Sequence, residues 1–558
     1  MPEGAGQKRR KLRRESSATS QGEQAGDASL MLSASSRVTV PDEIVEGHLL
    51  PELAWGNLHS FRGLLPAGSP LACGVGGSST LGPLELSWAS CCSGSEGVHY
   101  VVEAMNKALS QFNVDVRFTH KFSCESDKRK RAWIKTVLES GPLFTKDQAE
   151  AAGSNGCISQ NILDVGQKVA RCERHQADCE VCHVDVLVLG TSCKDLSRAN
   201  SSVDRQKLVL AETQSRGGSA QTFRGFLAYC EGHRPTLIIY ENVDSIDDKV
   251  SNTTETNLSL LMKSMQELGY QGQKVMTDAQ EFGLPCRRRR LYVFFVLVSD
   301  PRLNQRSRDT VQVIETFRKL VSSCLRSAPC ATECLLTERV DSHAEIVCGG
   351  LAEVVKAQEK AAERKAPPNN TWINKHMEYA EQLGVRWAAP LPESLVMNEW
   401  FSTLTKREGD CLRLSRIAGP TAAFRNLSQS VGRAHGNTLQ DSGKHVAPTM
   451  LPGQVLWAES QERLLTGVEA MILQGYPIMP LLEKLKANGQ VQVRLKENFT
   501  ESFLTDLAGN AMALPVVLAI FQAGMAAVGF KQCVQAASED DVRLAMEAVA
   551  MLRPSTGK

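Results

Sequence analysis

Apolar positions along the chain gather into short, nearly unbroken runs separated by stretches with helical spacing. Val184–Leu189, Thr236–Tyr240 and Leu291–Val298 are each about one strand long and apolar on both faces, the pattern of strands covered by helices on either side. Leu84–Ala89 and Val116–Cys124 read as two more strands, with a turn at Ser93–Gly97 and a helical stretch from Val98 to about Phe112 between them. Strands alternating with helices predict an α/β domain over residues 80–300, built on a mostly parallel sheet with helices on both faces.

Near residue 300 the pattern changes to short helical pieces and glycine-containing loops. Residues 301–455 are expected to form a smaller mixed lobe carrying an insertion. Residues 456–535 are expected to return to the first domain, and 536–558 to form a helix and tail. Ala511–Phe530 is the longest apolar run, but Pro515 and Gln522 interrupt it and Lys531 bounds it. It reads as a buried amphipathic helix rather than a membrane span. Residues 1–45 are poor in large apolar side chains and are expected to be a disordered basic tail. Six of the seven residues Lys8–Arg14 are basic, which suits a solvated charge run, a nuclear-import signal or a phosphate-contacting arm.

Composition adds little until cysteine is considered. The 558 residues carry a formal net charge of +1, so any nucleic-acid surface must be local. The 17 cysteines are odd in number and follow no repeating frame, which fits free thiols in a reducing compartment better than a disulfide scaffold.

Four segments at strand ends carry the candidate chemistry, where open α/β sheets bind ligands. Cys92–Gly97 is a glycine-containing turn running into a helix, a place for carboxylate or phosphate, and Glu125 ends the next strand where it could meet ribose hydroxyls. Gly190–Thr191–Ser192–Cys193 follows the most apolar strand. A helix amino terminus and Lys194 beside Cys193 would favour its thiolate, whereas burial as a small hydrophobe is the bland alternative. Glu241 in Tyr240–Glu241–Asn242–Val243 could hold a proton or simply cap a turn. Arg287–Arg288–Arg289–Arg290 run into a buried strand, costly unless a phosphate or the Glu241 carboxylate uses them.

In order and spacing these segments resemble the cytosine C5-methyltransferase family from about residue 84 to 530, which implies a Rossmann-like domain. The glycine turn resembles the family's cofactor loop and Gly190–Cys193 its Pro-Cys nucleophile loop. Glu241–Asn242–Val243 is its Glu-Asn-Val triplet, and Arg288 and Arg290 fit its Gln-x-Arg-x-Arg segment. Arg463–Glu469 with Leu473–Pro477 resembles the ninth motif, and Ala508–Ala511 the final Gly-Asn motif. The resemblance implies that Cys193 attacks C6 of a flipped cytosine, Glu241 contacts N3, Arg290 binds O2, and Arg288 organises the active-site loop or contacts phosphate. It implies S-adenosyl-L-methionine as cofactor, held by Ser93, Gly94, Glu96, Gly97, Glu125, Asp164, Gly190 and Asn510; Asp164 is placed by spacing alone. Three departures bear on rate: Ser192 for proline, Cys286 for glutamine, and Glu96 where glycine is common.

DNA in the nucleus is the expected substrate and compartment, with no membrane partner. RNA is the alternative, although the Cys-Phe-Thr tripeptide typical of the tRNA-methylating branch occurs nowhere in the chain. A catalytically weak nucleic-acid-binding homologue is the third reading. Cys172, His175, Cys179, Cys182 and His183 lie within twelve residues. The first four could bind zinc, but a reduced polar loop is the preferred reading, and no metal is expected.

Overall fold

The computed structural model describes residues 38–531, except 62, 67–68, 73–83, 145–155, 199, 201–207, 212–217, 251–253, 364–370, 388–397, 437–438, 440–442 and 488–498. The basic run at Lys8–Arg14 and the expected carboxy-terminal helix and tail lie outside these residues. Helix α1 (Pro41–Val45) falls inside the range expected to be tail. Pro41 presets its first turn, and Ile44 and Val45 are buried.

One nine-stranded sheet organises the molecule. Its strands are β1 (Leu84–Cys91), β2 (Val116–Cys124), β3 (Cys157–Ser159), β4 (Val169–Cys172), β5 (Ala177–Glu180), β6 (Val186–Gly190), β7 (Leu237–Val243), β8 (Tyr270–Asp278) and β9 (Arg289–Leu297). The order is β5-β4-β3-β2-β1-β6-β7-β9-β8. The central run from β3 to β7 is parallel, and an antiparallel pair closes each edge. Four of the expected strands, β1, β2, β6 and β7, lie in the parallel run of this mostly parallel sheet, and the fifth, β9, belongs to an antiparallel edge pair.

Alternation along the strands feeds two cores. On one face Val186, Val188, Leu237 and Ile239 pack with α2 (Leu49–Ser60), α3 (Gly97–Gln111) and the helix Leu514–Ala527. On the other, Leu187, Leu189, Ile238 and Tyr240 meet α5 (Gly218–His233) and α6 (Asn257–Glu267); α4 (Lys128–Glu139) follows β2. Two covered faces explain why these strands are apolar throughout.

Helix Leu514–Ala527 is not amphipathic as expected, for every residue in it is buried. Its one polar side chain is satisfied: Gln522 Oε1 accepts from Asn57 Nδ2 at 2.9 Å, and its Nε2 donates to Ala54 O at 3.0 Å. The stretch Glu501–Ala527 is apolar enough to cross a bilayer, yet 83% of its most apolar window is buried inside the protein.

Helix α7 (Thr310–Ser323) packs on the first domain, with Phe317 stacked on Phe294 of β9 at 4.6 Å. Beyond it lie helices Asp341–Glu363, Trp372–Gln382 and Lys406–Ala418 and a small antiparallel sheet of Phe424–Asn426, Leu456–Ala458 and Arg463–Leu464. That sheet straddles the boundary expected at residue 455.

Candidate active site

Strand order reverses beside β1, between β2 and β6, so the carboxyl ends of β1, β6 and β7 border one crevice. The β1 loop is internally tied. Ser90 Oγ bonds Ser93 Oγ at 2.7 Å and donates to the Glu96 carboxylate at 2.9 and 3.1 Å. Glu96 sits in the left-handed region at φ 53° and is fully buried, and burial raises its pKa to about 7. Its carboxyl group and the Ser93 hydroxyl are therefore engaged by the loop itself.

Gly94 differs from these neighbours. Its N–H donates to Glu125 Oε2 at 2.9 Å, and a Cβ there would find only Glu125 Oε2 at 3.8 Å and Lys130 Cδ at 3.9 Å. A small residue thus leaves room directly over the Glu125 carboxylate, which also accepts from Asp127 N at 2.9 Å. Gly97 is tight instead, since a Cβ would lie 2.2 Å from Leu514 Cδ2 and 2.4 Å from Tyr476 Oη. Ser95 Oγ is 2.5 Å from that same Tyr476 Oη. Sequence reasoning missed the use of Tyr476 as a clamp on the loop after β1, although the residue lies in a segment that it singled out.

Asp164 and Asn510 are the outliers. Asp164 is exposed on a short 3-10 turn and bonded to Asn161 Nδ2 at 3.1 Å. Asn510, also exposed, caps its own helix through Asp506 O at 2.8 Å. Asp506 pairs with Lys130 at 3.3 Å, which puts Asn510 one turn from the Gly94 side of the crevice.

After β6 the chain makes a single turn rather than a helix, with Leu196 and Ser197 N–H both donating to Cys193 O. The helix terminus beside this loop is that of α5. Ser192 N–H donates to Thr222 Oγ1 at 3.1 Å, and Asp195 and Ser219 exchange bonds of 3.1 and 3.0 Å. Proline at 192 could not make the first of these bonds, so serine fixes the loop by a hydrogen bond instead. Cys193 is half-buried, and its thiol is pushed up, contrary to the expected thiolate. Burial is the main cause and the Glu241 carboxylate adds to it; Arg290 and Arg288 pull the other way without reversing it. Lys194 is exposed.

Glu241 is buried at the end of β7, paired in register with Gly190, and its Oε1 is 3.1 Å from Arg290 Nε. A Cβ at Gly190 would lie 2.9 Å from Glu241 Oε2, so glycine makes space for the carboxylate. Asn242 Nδ2 holds Thr191 O and Oγ1 at 3.2 and 2.9 Å, binding the β6 loop to β7. Arg288 lies within electrostatic reach of Cys193 but away from solvent. It is buried and donates to Met450 O at 3.5 Å and Gly509 O at 3.3 Å. Burial, with Arg290 nearby, lowers its pKa to about 10. Cys286 is buried, and Gln474 Nε2 lies 3.6 Å from its Sγ, so an amide from a distant segment stands beside this position.

The crevice therefore gathers a thiol, a carboxylate and a guanidinium that sense one another's charge, beside a glycine cradle over a second carboxylate. Residues 159–524 match the sequence model of C-5 cytosine-specific DNA methylases. The chain belongs to that family. Among relatives, the DNA (cytosine-5-)-methyltransferase DMT5 of Cryptococcus neoformans var. grubii is 26% identical over 487 residues, 84% of this chain and 18% of that protein. The type II methyltransferase M.Sau3AI of Staphylococcus aureus is 26% identical over 110 residues, 20% of this chain and 25% of its own. The chain thus spans a quarter or less of the curated relatives it matches. A solved putative DNA modification methyltransferase encoded within an Escherichia coli prophage is 13% identical, with 79% of this chain and 98% of that one covered at a TM-score of 0.38.

Proposed function

We propose that this chain transfers a methyl group to C5 of cytosine in DNA through a covalent adduct with Cys193. The observation that carries the reading is the Glu241–Arg290 pair at 3.1 Å in the same electrostatic environment as Cys193. Deprotonated Cys193 adds to C6, forming the S–C6 bond. Glu241 stands at N3 and stabilises the ring in its N3-protonated form, so the electron pair moves through the ring to C5. Once C5 carries the methyl group, loss of the C5 proton and cleavage of the S–C6 bond restore the aromatic ring. Arg290, fixed by Glu241, is positioned for the O2 edge. Arg288 acts through structure, fastening β9 to the chain around Met450 and Gly509.

S-adenosyl-L-methionine, the methyl donor that family membership implies, would supply a methyl group on a sulfonium. The open space over Gly94 and the Glu125 carboxylate fit its adenosyl part. Gly190 borders the crevice, and Asp164 and Asn510 stand at its periphery. DNA is preferred over RNA as substrate because the matching family and the Cryptococcus relative are both named for DNA. The nucleus as compartment rests on Lys8–Arg14.

The test is transfer of labelled methyl from S-adenosyl-L-methionine to DNA and, separately, to RNA, with Cys193→Ser alongside. The expected result is label in DNA and none with the variant. Label in neither would overturn the enzymatic reading, and label in RNA alone would overturn the DNA reading. DNA containing 5-fluorocytosine should trap a covalent complex with the native chain only.

A further inference from the structure

At the antiparallel edge of the main sheet, far from the β7 carboxylate, three cysteines and a histidine converge. Cys157 opens β3, Cys172 ends β4, His175 lies in the hairpin turn, and Cys179 is in β5. His175 Nδ1 is 3.6 Å from Cys157 Sγ, 3.4 Å from Cys172 Sγ and 3.4 Å from Cys179 Sγ. All four donor atoms lie within 4.8 Å of one another. Cys182, which sequence spacing grouped with this set, is not part of it; Cys157 takes its place.

These separations have a simple meaning. With zinc–sulfur bonds of about 2.3 Å and a zinc–nitrogen bond of about 2.0 Å, a tetrahedral angle puts nitrogen and sulfur about 3.5 Å apart. The three distances lie close to that value. A hydrogen-bonded imidazole would explain one such contact, because a single Nδ1 carries one proton or one lone pair. It does not explain three.

The backbone around Cys172 adds a second, independent indication. Ile158 N–H and His175 N–H both point at Cys172 Sγ, at 3.3 and 3.4 Å. Two N–H donors on one sulfur suit a thiolate ligand better than a neutral thiol. The surroundings supply a need as well. β5 contributes no buried residue, and the β4–β5 hairpin is four residues on each side, too little to hold itself by apolar packing.

We infer that Cys157, Cys172, His175 and Cys179 bind one zinc ion as three thiolates and an imidazole, closing the antiparallel edge of the sheet. A complete Cys3His set leaves no open position, so the site is structural. Its reach extends to the crevice, because β3 pairs with β2 and Ser159 O accepts from Glu125 N–H at 3.0 Å. Zinc therefore steadies the strand beside the carboxylate proposed to meet the cofactor, while its presence does not depend on the chain being a methyltransferase.

The test is metal analysis of the full chain, produced with zinc in the medium and then desalted. About one zinc per chain is expected, with loss of most of it in Cys179→Ser and His175→Ala and full retention in Cys182→Ser. A native chain without zinc, or one carrying iron and sulfide, overturns the inference, as does equal loss in Cys182→Ser. If the ligand variants are insoluble, cobalt(II) exchanged into the native chain decides. Intense thiolate-to-cobalt and tetrahedral bands support the site, and a weak octahedral spectrum overturns it.

Discussion

At Cys193 burial and the two arginines act in opposite directions. Burial and Glu241 hold the thiol protonated, while Arg290 and Arg288 favour the thiolate. The reactive form is the deprotonated one, so kcat/KM should rise as pH increases through the alkaline range and fall towards acid; a flat profile from pH 6 to 9 would contradict this. Cys193→Ser should lower transfer by roughly a thousandfold or more. Glu96 gives a second pH-dependent prediction. Its folded pKa, about 7, is above the unfolded value of 4.5, so the folded state binds the extra proton. Stability from this group is present at low pH and is lost as pH rises from about 4.5 through 7. Glu96→Gln keeps a partner for Ser90 and removes that loss. The variant's advantage in denaturant unfolding should grow between pH 5 and 8 to on the order of 3 kcal/mol. Glu501, also raised to about 7, contributes the same trend to both proteins and cancels in the difference.

Elements differ in how far the sequence reveals them. β6, β7 and β9 are legible because both faces are covered and the runs are apolar throughout. β8 is not, since Tyr270 and Thr277 are its only buried residues. β3, β4 and β5 are only three or four residues long, too short for a readable alternation, and are held by pairing to a neighbour. Glu241, Arg290 and Cys193 announce themselves through order and spacing. Arg288 does not announce its role, because its partners are carbonyls more than 160 residues away. Cys157 was missed for a related reason: it lies on a different strand, 15 positions before Cys172, and only the β3–β4 pairing brings them together. The segment Arg463–Glu469 shows what such a motif does physically. Arg463 grips the Glu469 carboxylate through two bonds of 2.8 Å and also donates to Leu336 O at 2.9 Å, all buried. Arg463→Met strands a buried carboxylate and should cost about 3–5 kcal/mol in chemical unfolding. At the sheet edge, treatment with a strong chelator should lower the melting temperature by several degrees, about what loss of a few kcal/mol of ligand linkage implies. Cys182→Ser should respond as the native chain does.

For the molecule as a whole, one buried contact has a consequence in time. Asn57 of α2 is bonded to Gln522, 465 positions further on. The face of the sheet that α2 and α3 cover is thus finished by a helix made much later. At about 5–20 residues per second on the ribosome, those positions are separated by roughly 25–90 s. Until that helix is made, Leu53, Val101 and Phe118 lack the element that completes their burial. A nascent chain stalled before residue 514 should therefore expose an adhesive apolar face to chaperones. One stalled with residue 530 clear of the exit tunnel should be protected there. Arrested translation products probed by limited proteolysis would show the change as an abrupt step, because the sheet has no partial substitute for its final cover.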